Sequence, residues 1–201
     1  MKYILIIFLL PFSIFSQKNL DSVIVESKSF QLEMNESYAD SSHSPLTKED
    51  LANFEELPFF EIDSSFYVVA RFERAPKSKS IKFKTSTDRR PKYEIYGTIY
   101  FKINQQPFSL KVYQSHRLRE REEFKDYLFL PFTDLTNGKT SYAGGRYIDL
   151  KVPEGTELIV NFNKAYNPYC AYSSLYSCPI VPEENFLDIE INAGVKAPIN
   201  H

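Results

Sequence analysis

Tryptophan is absent, cysteine and methionine occur twice each, and histidine three times, in a chain of 201 residues. So few soft or imidazole ligands leave little to build a metal site. Cys170 and Cys178 also stand farther apart than the about two to four intervening residues usual in zinc knuckles. Nowhere is there a phosphate loop, a dinucleotide-binding glycine fingerprint, a nucleophile elbow or a zinc-protease helix motif, so no cofactor and no named reaction is implied. Charge of one sign is lacking too. With 24 basic and 26 acidic residues the net charge is -2, which supplies no global field to attract nucleic acid. The basic run Lys77 to Lys84 reads as a solvated edge strand whose lysines guard it against edge-to-edge pairing. His43, His116 and His201 fall in connectors, a charged segment and the terminus, where exposed, non-catalytic histidines are expected.

Long hydrophobic runs are missing as well. The longest, Tyr3 to Phe15, is short of the roughly 20 residues needed to cross ~30 Å of hydrocarbon. It follows a basic Met1-Lys2 and precedes Ser16-Gln17, the arrangement of a secretory signal peptide over residues 1–16. No cysteine follows to carry a lipid. The expectation is therefore an exported protein, periplasmic or extracellular, with no stable membrane anchor after cleavage.

What is abundant is aromatic: 17 Phe and 14 Tyr, residue types that suit half-buried strands. Leu20, Val23, Ile24, Phe30 and Met34 recur at helical spacing and predict a helix from about Asp21 to Ser37. Thr47 to Asp50 resembles a capping box that opens a short helix through Phe54. After Pro58 the period changes to two. Phe66 to Phe72, Ile81 to Phe83, Tyr93 to Ile103, Phe108 to Val112, Asp126 to Leu130, Arg146 to Val152, Glu157 to Phe162 and Leu187 to Ile191 all read as strands separated by turn signals. Short connections imply antiparallel pairing. The fold class expected is mainly β, an antiparallel sandwich or bent barrel-like sheet, with one or two N-terminal helices packed outside. By domain, residues 17–43 form the helix and connector and residues 44–201 a single β-rich domain.

The turn Pro153-Glu154-Gly155 suggests a hairpin in which Ile148 meets Val160 and Leu150 meets Leu158 on the core face, leaving Tyr147 and Asp149 on the other. Arg146 and Asn163 would then lie together where the chain leaves for an Asn-, Tyr- and Pro-rich loop, Asn163 to Tyr172. Gly144, Gly145, Arg146, Tyr147, Asn163, Tyr166 and Asn167 form the candidate ligand-binding cluster. Two adjacent glycines can point successive N–H groups at an anion and a guanidinium can grip it. Equally, the glycines can form a tight entry to the strand while Arg146 pairs with Asp134 or Asp149. Asp134 and Asp149 are also the carboxylates to weigh as an acid/base couple, against solvated or capping roles. In an oxidising compartment, Cys170 and Cys178 should form a disulfide, closing a loop that stabilises by ~2.6 kcal/mol in the chain-entropy model. Metal ligation with Glu183 or Glu184, a thiol activated by Arg146, and two inert thiols are the alternatives.

Tyr127-Leu128-Phe129-Leu130-Pro131-Phe132, Thr136-Asn137-Gly138-Lys139-Thr140, Gly144-Gly145-Arg146-Tyr147, Asn161 to Tyr172, Tyr176-Ser177-Cys178-Pro179 and Ala193-Gly194-Val195-Lys196, in that order, resemble the bacterial and archaeal family known as domain of unknown function 1684. The similarity spans about Ser44 to Lys196. Asn161 stands where an aspartate is expected, and Glu183-Glu184-Asn185-Phe186 where a proline is common. The resemblance implies no reaction, substrate or cofactor. Two classes of function follow from the residues. One is an exported binding or accessory module whose polar Tyr-, Asn- and Arg-lined site holds a small anionic or sugar-like ligand. The other is a hydrolase or thiol-dependent enzyme using the same surface. An enzyme needs an acid, base or thiol converging within ~3 Å of its partners; a binder needs only a pocket of donors and aromatics.

Overall fold

The computed structural model describes residues 12–76 and 80–198. Most of the expected leader, residues 1–11, and the lysines at 77 and 79 lie outside the described residues. The fold is mostly β, an antiparallel and strongly curled half-barrel with one main helix and a second, short one.

Helix α1 spans Phe12–Ala39, longer at both ends than its apolar period predicts. Val23, Ser27 and Tyr38 are buried along one stripe with Phe30 and Met34 half-buried, a helical repeat. Among the described residues no helix is long and apolar enough to cross a membrane. In α2, Lys48–Ala52, Thr47 caps as expected by accepting from the Asp50 N–H at 3.1 Å. The Asp50 carboxylate takes the Thr47 hydroxyl at 2.6 Å. Aspartate, one methylene shorter than the usual glutamate, binds the hydroxyl where glutamate would reach back to the backbone.

The strands are β1 Tyr67–Arg74, β2 Ser80–Lys82, β3 Lys92–Ile103, β4 Gln106–Ser115, β5 Tyr127–Asp134, β6 Arg146–Lys151, β7 Glu157–Asn161 and β8 Phe186–Leu187. They are arranged β6-β5-β4-β3-β1-β7, with β2 beside β3 and β8 running parallel to β5. The long hairpin β3–β4 turns at Asn104 and Gln105, both at positive φ. Ile99, Phe101, Leu110, Val112, Leu128, Leu130, Phe132, Ile148 and Val160 fill the concave side. At about 25 cal/mol per Å² of apolar surface removed from water, this layer is the main source of stability.

The hairpin expected at Pro153-Glu154-Gly155 does not form. β6 and β7 end the sheet on opposite edges. Ile148 pairs with Leu130 and Leu150 with Leu128, whereas Val160 pairs with Val68 and Leu158 with Ala70. The inward set is as the alternation predicts, because a period of two fixes which face a side chain takes but not which strand lies alongside. The Val152 N–H donates to Asp126 beside β5 and the Phe72 N–H to Thr156. The connection thus spans the open seam of the half-barrel, with no ladder between its two edges.

One joint in the sheet depends on a side chain. The β4–β5 ladder keeps a single paired position, Tyr113 with Phe129. Beside it Asn185 accepts from the Lys111 N–H at 2.9 Å and donates to Lys111 O at 2.9 Å and Pro131 O at 2.6 Å. The buried carboxamide satisfies backbone groups of both strands where the ladder has ended, as buried main-chain groups require.

Candidate functional site

The residues singled out in the sequence fall into three groups, and most are inside. Arg146 is 0 % exposed. Its Nη2 donates to Asp134 Oδ2 at 2.8 Å and to Ile191 O at 2.8 Å, and Nη1 donates to Ala193 O. Burial draws the guanidinium pKa down and the Asp134 charge opposes this. Asp134 Oδ1 is taken by the Thr136 N–H and hydroxyl, at 2.9 and 2.6 Å. Arg146 therefore faces no solvent: it ties β5 and β6 to the C-terminal segment. Gly145, at φ +90°, has its N–H on Tyr142 O at 3.1 Å, the tight entry to β6. Asn163 exchanges bonds with the Asp63 backbone in both directions at 2.9 Å. Asn167 donates to Tyr172 Oη at 3.0 Å and Lys196 O at 2.8 Å. These asparagines pin loops.

Tyr147 and Tyr166 do come together, on the convex face. Their backbones exchange hydrogen bonds at 2.9 and 3.0 Å, and their rings meet edge to face at 5.9 Å. Tyr147 Oη donates to Pro179 O. Asp149 Oδ1 accepts from Tyr166 Oη at 2.6 Å and Tyr127 Oη at 2.8 Å. Burial, then the Asp149 charge, holds both phenols above their ordinary pKa. Asp149 shares the outward set of β6 with Tyr147, while Asp134 binds Arg146 of the inward set. The two carboxylates sit on opposite faces, so no acid/base couple forms.

The disulfide is a correction. Cys170 and Cys178 are both free thiols. Cys178 is fixed by a pairing of its segment with residues 84–86: the Ser86 N–H donates to Cys178 O at 3.0 Å and the Cys178 N–H to Ser86 Oγ at 3.2 Å. Cys170 sits in a one-turn 3-10 helix, Tyr169–Ala171, and its N–H donates to Cys178 Sγ at 3.2 Å. Two anchored backbones seat Cys178 Sγ on the Cys170 N–H and leave the two sulfurs unbonded.

A second feature lies where the β2–β3 connection meets the end of β4. Tyr93 pairs with Ser115 in the β3–β4 register, bringing Arg89, Arg90 and Lys92 opposite His116, Arg117 and Arg121 around a cleft of about 570 Å³. Arg89 and Arg90 spend hydrogen bonds on uncharged groups. Arg89 Nε binds Ser177 Oγ at 3.1 Å, and Arg90 Nη1 binds Thr87 O at 2.6 Å. Among the described residues no carboxylate lies within ion-pair distance of Arg89, Arg90, Lys92 or Arg117, whereas Arg119 pairs with Glu94 at 3.1 Å and Arg121 with Glu123. His116 Nε2 is buried without a hydrogen-bond partner, 3.9 Å from Glu94. Tyr93 forms part of the wall; burial raises its phenol pKa, and the Arg89 charge and a Ser115 hydrogen bond work against that. Sequence reading missed this cleft. Its signal is two short runs, Arg89-Arg90-Pro91-Lys92 and His116-Arg117-Leu118-Arg119-Glu120-Arg121, unremarkable until strand pairing joins them.

A family model described as "Protein of unknown function (DUF1684)" matches residues 52–196. The chain belongs to the DUF1684 family. The solution NMR structure of an uncharacterised protein from Haloarcula marismortui is similar to this DUF1684 protein at 29% identity and a TM-score of 0.70, covering 92% of this chain and 99% of that one. No curated protein matches. In this family member, every one of the motif segments carrying the resemblance contributes to the buried network or to the thiol loop. The basic cleft is built from other residues, Arg89 to Tyr93 and Ser115 to Arg121.

Proposed function

We propose that this DUF1684 protein binds a small anionic ligand, bearing carboxylate or phosphate groups, in the cleft between Arg89 to Tyr93 and Ser115 to Arg121. One observation carries the reading: four cationic side chains with no carboxylate paired to them among the described residues line a concave site, outnumbering its one acidic lining residue, Glu120. Like charges gathered in a cleft repel one another and focus their field outward, which an entering anion reverses. Arginine forks bind carboxylate and phosphate oxygens in pairs. The wall offers little open aromatic surface, so an anion is favoured over a neutral sugar.

Isothermal titration with inorganic phosphate, and separately with citrate, tests this. At least one should bind, and affinity should weaken with added sodium chloride as exposed charges are screened over a Debye length of ~10 Å at 0.1 M. Arg90→Ala and Arg117→Ala should each weaken binding about tenfold or more, since hydrogen bonds to charged groups are worth ~1.5–3 kcal/mol. No heat from either anion, or binding untouched by both substitutions, would refute the site.

Export is part of the proposal. Its support is the order of basic, apolar and small residues over Met1 to Gln17. Protein recovered outside the cytoplasm of its host should have an intact mass starting near Gln17. A soluble exported product that keeps Met1 to Ser16 would count against it.

A further inference from the structure

The cations of the cleft continue past its rim. β2 pairs antiparallel with β3, and the register sets Lys82 directly opposite Lys92. Partners in such a pair share a face, with Cβ atoms about 4.5–5.5 Å apart. Lys92 lines the cleft, so Lys82 stands one strand farther along the same face. On the other side of Lys92, the His116 N–H donates to Lys92 O at 3.1 Å, which sets Arg117 at the opposite end of the row. Both lysines are exposed. The acid on their face of β3, Glu94, is already held by Arg74 at 3.2 Å and Arg119 at 3.1 Å.

Like charges directly opposite one another destabilise a strand pair. A lysine on an edge strand guards it against pairing with another chain. That accounts for Lys82 on β2, but not for the second lysine on β3, which is flanked by β2 and the end of β4. An anion lying across both would turn the repulsion into attraction.

Taking the cleft to be the anion site described above, we infer that its ligand is a short chain of linked phosphate groups, a condensed phosphate, running from the arginines of the cleft over Lys92 to Lys82. With adjacent strands about 4.8 Å apart, Lys82 and Arg117 stand on backbones roughly 10 Å apart, more than one phosphate group spans and within the length of a short chain of them. Ammonium groups act as point charges on phosphate oxygens, whereas planar carboxylates are best gripped by arginine forks. A row that ends in two lysines therefore favours linked phosphates over a polycarboxylate. A nucleic acid strand also carries phosphates, but its bases need aromatic faces to stack on. Tyr93, the aromatic residue of the cleft, is buried in the cluster of Phe83, Tyr113 and Phe129, its ring 4.7 Å from that of Phe83.

The test is isothermal titration of the full-length protein with tripolyphosphate and, separately, with inorganic phosphate, at one salt concentration and without divalent cations. Tripolyphosphate should bind about tenfold tighter or more, because each further contact is made within one complex. Lys82→Thr keeps a strand-favouring side chain at an exposed position. It should weaken tripolyphosphate about threefold to fivefold, as the loss of one exposed charge contact does, and leave inorganic phosphate within about twofold because that charge is remote and screened. Without anion the variant should melt no lower than wild type, since the Lys82–Lys92 repulsion is gone. Inorganic phosphate binding as tightly as tripolyphosphate, a Lys82→Thr variant that weakens both alike or neither, or a lower melting temperature would overturn the phosphate chain and leave the cleft an anion site. Heat from neither phosphate would overturn it too, and citrate also silent would remove the cleft itself.

Discussion

Arg146→Ala should cost the fold roughly 3–5 kcal/mol, the loss expected when one partner of a buried ion pair is removed. Asp134 would be left as a buried carboxylate held only by neutral donors, Thr136 and the Ile191 N–H, and the Ile191 and Ala193 carbonyls would lose their donor. Thermal unfolding should drop by about ten degrees, at ~2–4 °C per kcal/mol for a domain of this size. Arg146→Lys should recover little, because one ammonium cannot reach an acid and two carbonyls in different directions. Replacing both charges with apolar residues, Arg146→Met with Asp134→Leu, should be milder than Arg146→Ala. Urea denaturation would show this directly. A loss below about 1 kcal/mol would mean the guanidinium is not the tie the geometry describes.

Gly145→Ala should be the next most damaging change. At φ +90°, its new Cβ would lie 2.6 Å from Val181 Cγ2 and 2.7 Å from Phe132 O. The left-handed backbone costs an L-residue ~1–2 kcal/mol, and crowding against a fixed carbonyl adds roughly 1–3 kcal/mol. Gly155→Ala is the control: nothing lies within 4 Å of its added Cβ, so stability should stay within about 0.5 kcal/mol. Equal melting temperatures for the two variants would refute the close approach at Gly145.

The strands were legible wherever apolar residues alternate, as in Ile99, Phe101 and Ile103, because the pleat converts a period of two into one buried face. Partner choice was not legible. Ile148 and Leu150 satisfy Leu130 and Leu128 as well as they would Val160 and Leu158, and nothing in the alternation says which. Arg146 read as a site because a guanidinium beside two glycines looks like an anion grip. The features that bury it are carbonyls at Ile191 and Ala193, more than forty residues later; backbone acceptors carry no sequence signature. The asparagines of the loop misled in the same way, since a carboxamide that pins a backbone is indistinguishable in sequence from one that meets a ligand. Cys170 and Cys178 were legible as a pair, but their separation depends on the pinning of the Cys178 segment to Ser86, which stands 92 residues earlier in the chain.

The attachment of Arg146 to carbonyls made more than forty residues later has a temporal side. A ribosome makes β5 and β6 well before Ile191 to Val195, yet those late residues hold two acceptors of the guanidinium. They also provide the contacts of Phe60 with Gly194 and of Lys196 with Pro58, which draw in the segment after α2. Early and late stretches meet at one place, so the core cannot close before the later stretch has been made. Local segments can form first, but long-separated pairings must wait for their second half. A nascent chain that has not yet reached Ala193 therefore holds a buried charge without two of its acceptors, and native packing waits for that segment.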